Sequence, residues 1–181
     1  MKKIVIFIIV IVLIIGSFLF LRPYLPGEQV KHDVMMQYLS STYKMNESLN
    51  RAFDAYEDND EDNFAVHLNR ASSHLSTSNE LTSDGINVSE HLNGSYTIQR
   101  FTFLGYGMLR DNSARAIRGE ITEEDIEDII QFSEQVERFF DRIGTPSSIG
   151  QENHTPNQMV ELIEEALRAE FDNLSPHNPD K

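Results

Sequence analysis

The chain has 181 residues, a formal charge of −14, and neither cysteine nor tryptophan. Without cysteine there are no disulfides, thiolate metal sites or cysteine nucleophiles; without tryptophan, a stacking platform for sugars is not expected. All 29 acidic residues follow residue 27, with only 12 of the 15 Lys/Arg, so this part carries −17. Such a charge repels nucleic acid and anionic headgroups and keeps the domain soluble.

Lys2 and Lys3 introduce Ile4–Leu21, eighteen residues with no charged side chain. A helix of that length spans about 27 Å, close to the hydrocarbon thickness of a bilayer. A cleaved signal peptide has a shorter apolar region that ends in small residues. Here the run leaves through Phe18-Leu19-Phe20-Leu21-Arg22-Pro23, which predicts an uncleaved anchor. Lys2 and Lys3 precede the span and Arg22 follows it, a bias that places the N-terminus in the cytoplasm and the body outside the cell membrane. Pro23 and Pro26 end the helix, because proline removes a backbone donor and clashes with the preceding turn.

From Glu28 to about Tyr56, apolar residues recur at Val30, Val34, Tyr38, Met45, Leu49, Phe53 and Tyr56, the spacing of one helix face. The acidic run Glu57–Asp62 interrupts it. The period resumes with Phe64, Leu68, Ala71, Leu75 and Ser78, and Ser83-Asp84-Gly85 closes this second helix. The third segment opens at Asn87-Val-Ser-Glu90, with the spacing of a capping pair. It then stays apolar through Tyr96, Ile98, Phe101, Phe103, Leu104, Tyr106, Met108 and Leu109, ending by Gly119. A helix apolar on more than one side is expected at the centre of a bundle.

Thr122-Glu-Glu-Asp125 opens the fourth helix with acids at its positive end. Its stripe is Ile126, Ile129, Phe132, Val136, Phe139 and Ile143, and Gly144 and Pro146 terminate it. A polar loop is expected over Thr145–His154. Thr155-Pro-Asn-Gln158 then supplies a cap, a proline at the first helical position and a reciprocal glutamine. Met159, Leu162, Ile163, Ala166 and Leu174 mark a fifth amphipathic helix. The fold class expected is all-α, an N-terminal transmembrane helix followed by a four- or five-helix bundle. The expected divisions are an anchor over 1–22, a connector over 23–27, a bundle over 28–174 and a disordered tail over 175–181.

Motifs that carry chemistry are scarce. Asp58-x-Asp60-x-Asp62 has the opening spacing of an EF-hand, but positions six and twelve are Asn63 and Asn69, where glycine and an acidic ligand are needed. His67 and His74 share a helix face and His91 is a candidate to approach them from the neighbouring helix, yet no zinc or di-iron motif is present. Arg110, Arg115 and Arg118 gather at the end of helix three, where cations suit the dipole and Glu120, Glu123, Glu124 and Asp125 follow as partners. Neither a nucleophile elbow nor a phosphate-binding glycine loop occurs. No cofactor and no catalytic residue are expected.

Gly105 and Gly107 each cost a helix about 1 kcal/mol relative to alanine. Close packing, a bend or a bound ligand offsets such a cost. The ligand reading places a pocket there, lined by Phe101, Phe103, Gly105, Tyr106, Gly107 and Met108. The expected function is a single-pass, extracytoplasmic binding or scaffold module that presents its bundle to a protein partner. Alternatives are a small-molecule sensor or carrier using that pocket, or a metal-dependent enzyme using His67 and His74. In composition the isoleucine-rich anchor and acidic body look bacterial.

Overall fold

The computed structural model describes residues 26–83, 96–152 and 154–171. These form five long helices and one single-turn helix: α1 (Pro26–Glu57), α2 (Glu61–Ser83), α3 (Tyr96–Ile117), α4 (Glu123–Ile143), α5 (Pro146–Ile149) and α6 (Pro156–Phe171). Among the described residues no strand occurs, and no helix is long and apolar enough to cross a membrane. The expected anchor Ile4–Leu21, the Asn87–Glu90 cap, His91 and the tail lie outside the described residues.

The turns follow local chemistry. Between α1 and α2 the chain reverses through Asn59 at φ 58°, a left-handed conformation that asparagine tolerates. Asp60 then caps α2, accepting from the Asn63 backbone N–H at 3.1 Å. Gly119 at φ 66° and Gly144 at φ 85° make the corresponding reversals after α3 and α4. The α4 start is a reciprocal cap: the Thr122 side chain accepts from Asp125 N at 3.2 Å, and Thr122 N donates back to the Asp125 carboxylate at 3.0 Å. At α6 the Thr155 N–H donates to Gln158 Oε1 at 2.9 Å, as the sequence pattern requires.

α1, α2 and α3 form one layer with α2 packed against both neighbours; α4 and α6 pair with each other and lie against α1 and α3. The two halves are packed differently. Between the first three helices small and hydroxyl side chains are interleaved with larger ones: Ala52, Ala71, Ser72 and Ser78 are buried beside Met45, Leu49, Leu68 and Leu75. There the Thr42 and Ser78 hydroxyls meet at 3.1 Å and those of Thr82 and Thr102 at 3.2 Å. Small side chains let backbones approach, and each buried hydroxyl needs a partner to offset its desolvation.

The other half is aromatic. Phe101 of α3 meets Phe171 at 4.7 Å and Phe132 at 5.8 Å between ring centroids, and Phe140 takes the edge of Tyr43 at 5.2 Å. Such ring pairs add about 0.5–1.5 kcal/mol each beyond area burial. Glu170, with 7% of its side chain exposed, fastens α6 to α4 through Arg142 and Arg138. Hydrogen bonds from those two guanidinium groups, Arg142 first, hold its carboxyl below the usual carboxylate value.

Three expectations need correction. The α1 stripe omits Met35 and Leu39, which are buried, and includes Val30 and Tyr56, each 44% exposed near the helix ends. Helix three is not central: α3 lies at the edge of its layer, and its outer side has no helix against it among the described residues. The polar stretch after Gly144 contains α5, capped by Thr145, whose Ile149 is buried.

Candidate functional site

The buried residues of α3 are Ile98, Phe101, Thr102, Gly105, Leu109, Asn112 and Ser113, a helical period facing α2, α4 and α6. The remaining surface of this helix is unusual. Tyr96 is 74% exposed, Phe103 67%, Ile117 64% and Leu104 43%. Single exposed apolar side chains are ordinary, whereas several along one helix, uncovered among the described residues, form an apolar patch.

The six residues proposed for a pocket divide between the sides of this helix. Phe101 and Gly105 are buried, and a Cβ on Gly105 would stand 2.7 Å from Phe132 Cζ and 2.9 Å from Leu75 Cδ2. That glycine is required by close packing. Tyr106 and Met108 lie half-buried at the core margin. Phe103 faces out, and a Cβ on Gly107 would meet nothing within 4 Å.

The electrostatics of α3 differ from those of its neighbours. Arg100, Arg110 and Arg115 against Asp111 leave it at +2, while α1 and α2 carry −2 each, α4 −6 and α6 −3. On the outer side Arg110 lies 5.7 Å from the Tyr106 ring centroid and pairs with Asp111 at 2.9 Å, both charged groups well exposed. Arg115 and Arg118 take Asp125 and Glu120, each at 2.6 Å, matching the expectation that acids following helix three would serve as their partners.

A cleft of about 260 Å³ opens where the α1–α2 and α3–α4 turns come together. Tyr56, Phe64, Ile121 and Ile126 form its apolar lining, with Asp60 and Glu123 among the polar residues around it. Sequence reasoning gave no sign of it, because two turns sixty residues apart in the chain must first become neighbours. Asp60 is engaged by Asn63, whose side-chain and backbone hydrogen bonds lower its pKa. His74 is also lowered, by desolvation and then by Lys44. Among the described residues no three ligating side chains gather to hold a metal ion.

Compared with models of known protein families, with curated proteins and with solved structures, the chain finds no match.

Proposed function

We propose that the chain is a single-pass, membrane-anchored binding or scaffold module, with its bundle outside the membrane and the outer side of α3 presented to a protein partner. The observation that carries this reading is the exposure of Phe103, Leu104, Tyr96 and Ile117 on the one long helix among the described residues whose net charge is positive, in a strongly acidic body. The anchor rests on the uncharged run Ile4–Leu21, and the orientation on Lys2 and Lys3.

A photoreactive phenylalanine analogue at position 103 of the full chain, in its native membrane, tests the surface directly. A protein adduct is expected there and not from the same probe at Glu127, which is exposed on α4. No adduct, or equal adducts at both positions, refutes the docking surface. Protease added to intact cells tests the orientation, since an external body is digested and a cytoplasmic one survives until lysis.

A second reading, a small-molecule sensor or carrier, has the cleft between the two turns in its favour. At about 260 Å³ it is below the ~300–1,000 Å³ of most small-molecule sites, so it suits a ligand of amino-acid size. Thermal shift across a panel of metabolites of that size is the test, and no stabilisation by any of them removes this reading.

A further inference from the structure

We infer that the cleft between the two turns binds a small organic cation, an ammonium group carried on an apolar body. The ligand class rests on the sensor or carrier reading given above and supplies that reading with its chemistry.

Two helix starts build the cleft, and they build it alike. The capping residue, the first residue and the fourth residue of α2 are Asp60, Glu61 and Phe64; those of α4 are Thr122, Glu123 and Ile126. All six line the opening. Positions three apart share one side of a helix, so each start brings an exposed carboxylate and a buried apolar side chain to the same place. Phe64 is 3% exposed and Ile126 7%, whereas Glu61 and Glu123 are exposed. Tyr56, in the last turn of α1, completes the apolar wall, its ring centroid 5.6 Å from that of Phe64.

Charge decides which ligands fit. The lining holds three acids, Asp60, Glu61 and Glu123, and no lysine, arginine or histidine. Arg115 and Arg118, at the end of α3 and just beyond it, are already paired with Asp125 and Glu120. Glu61 and Glu123 have no ion-pair partner among the described residues. A helix start carries about half a positive charge, so the two together offset about one of the three carboxylates. The cleft stays negative.

An anion is therefore repelled, and an amino acid loses at its carboxylate what it gains at its ammonium group. A metal ion is unsuited as well, because no three ligating side chains gather among the described residues and much of the lining is apolar. A cation on an apolar body meets both halves of the site. Its charge sits by the carboxylates while its body covers Phe64, Ile121 and Ile126. The Tyr56 ring, in a residue 44% exposed, adds attraction, since an aromatic face draws an ammonium group.

Phenethylammonium is the probe, with phenylalanine, phenylacetate and phenethyl alcohol as its zwitterionic, anionic and neutral counterparts. Each is titrated into the full chain in mild detergent and followed by the rise in Tm. The ammonium compound should stabilise at concentrations where the other three do not, and added salt should weaken it by screening. Glu61→Gln combined with Glu123→Gln should raise its half-saturating concentration about tenfold. Glu47→Gln combined with Glu137→Gln, the same charge change at exposed positions outside the cleft, should leave it nearly unchanged. Tyr56→Leu should raise it a few-fold.

If phenylalanine, phenylacetate or phenethyl alcohol binds as well as the ammonium compound, the cleft does not select a cation, and the small-molecule reading stands without it. If the two pairs of variants weaken binding equally, the charge of the whole body holds the probe and the cleft does not. If neither these four compounds nor the metabolite panel stabilises the chain, both the ligand class and the small-molecule reading fall.

Discussion

Two glycines in one helix make a sharp experiment. Gly105→Ala and Gly107→Ala are the same chemical change, two residues apart in α3, so the gain in helix propensity of about 1 kcal/mol is common to both. What differs is the space beyond the Cβ. At Gly107 nothing lies within 4 Å, and the substitution should stabilise by the full propensity gain. At Gly105 the new methyl would stand 2.7 Å from Phe132 Cζ and 2.9 Å from Leu75 Cδ2, distances at which something must shift. Leu75 is fully buried, and Phe132 is held between Phe101 at 5.8 Å and Phe171 at 6.0 Å, so neither gives way without disturbing the aromatic cluster. Overpacking of this kind costs about 1–3 kcal/mol. The difference between the two variants isolates that cost, because propensity cancels. For a domain of this size it corresponds to roughly 2–12 °C in Tm. The assay is thermal and urea unfolding of the full chain, dilute in mild detergent, followed by circular dichroism. If both alanines stabilise equally, the close approach of α3 to α2 and α4 at Gly105 is wrong.

The same unfolding assay carries three further expectations. Phe101→Ala should cost about 3–5 kcal/mol by opening the aromatic cluster, whereas Phe103→Ala, at a position 67% exposed, should change monomer stability little; equal losses would mean the helix is rotated. Thr122→Ala removes the acceptor of the Asp125 N–H and should cost about 1 kcal/mol; no loss would show that the cap is idle in solution. Glu170 has a folded pKa below 4.5, so on acidification the unfolded chain takes up this proton first. Its contribution is complete above about pH 4.5 and disappears as the pH falls through the lower folded value. Glu170→Gln should therefore be less stable than wild type at neutral pH, with the gap narrowing in acid. A gap independent of pH would refute the ion-pair account.

Most of the helical framework was legible because its signals are local. The Thr122/Asp125 and Thr155/Gln158 pairs name their own partners a few residues away, and the α4 stripe from Ile126 to Ile143 repeats at helical period with polar residues between. Ser78 read as part of an apolar face, and it is fully buried. The position of α3 was not legible. Periodicity says which residues share a side, and a helix apolar on several sides leaves open which side a neighbour covers. That is decided by α2, α4 and α6, which bury Phe101 and Gly105 and leave Phe103 and Gly107 uncovered. The two glycines looked alike in sequence for the same reason. The short α5 was hidden because four residues contain too few positions for a period.

α1 runs unbroken for 32 residues, about 48 Å from Pro26 to Glu57. The cleft beside Tyr56 and Phe64 is therefore at the far end from the point where the described chain begins. On a chain standing on its N-terminal segment, that geometry separates two directions of approach. Under the anchoring proposed above, neighbours in the same sheet of lipid would arrive broadside, the side on which α3 is one of the faces. Anything arriving from the opposite side would meet the cleft end first. The length of one helix would then act as a spacer, letting lateral and apical encounters proceed without competing for the same ground.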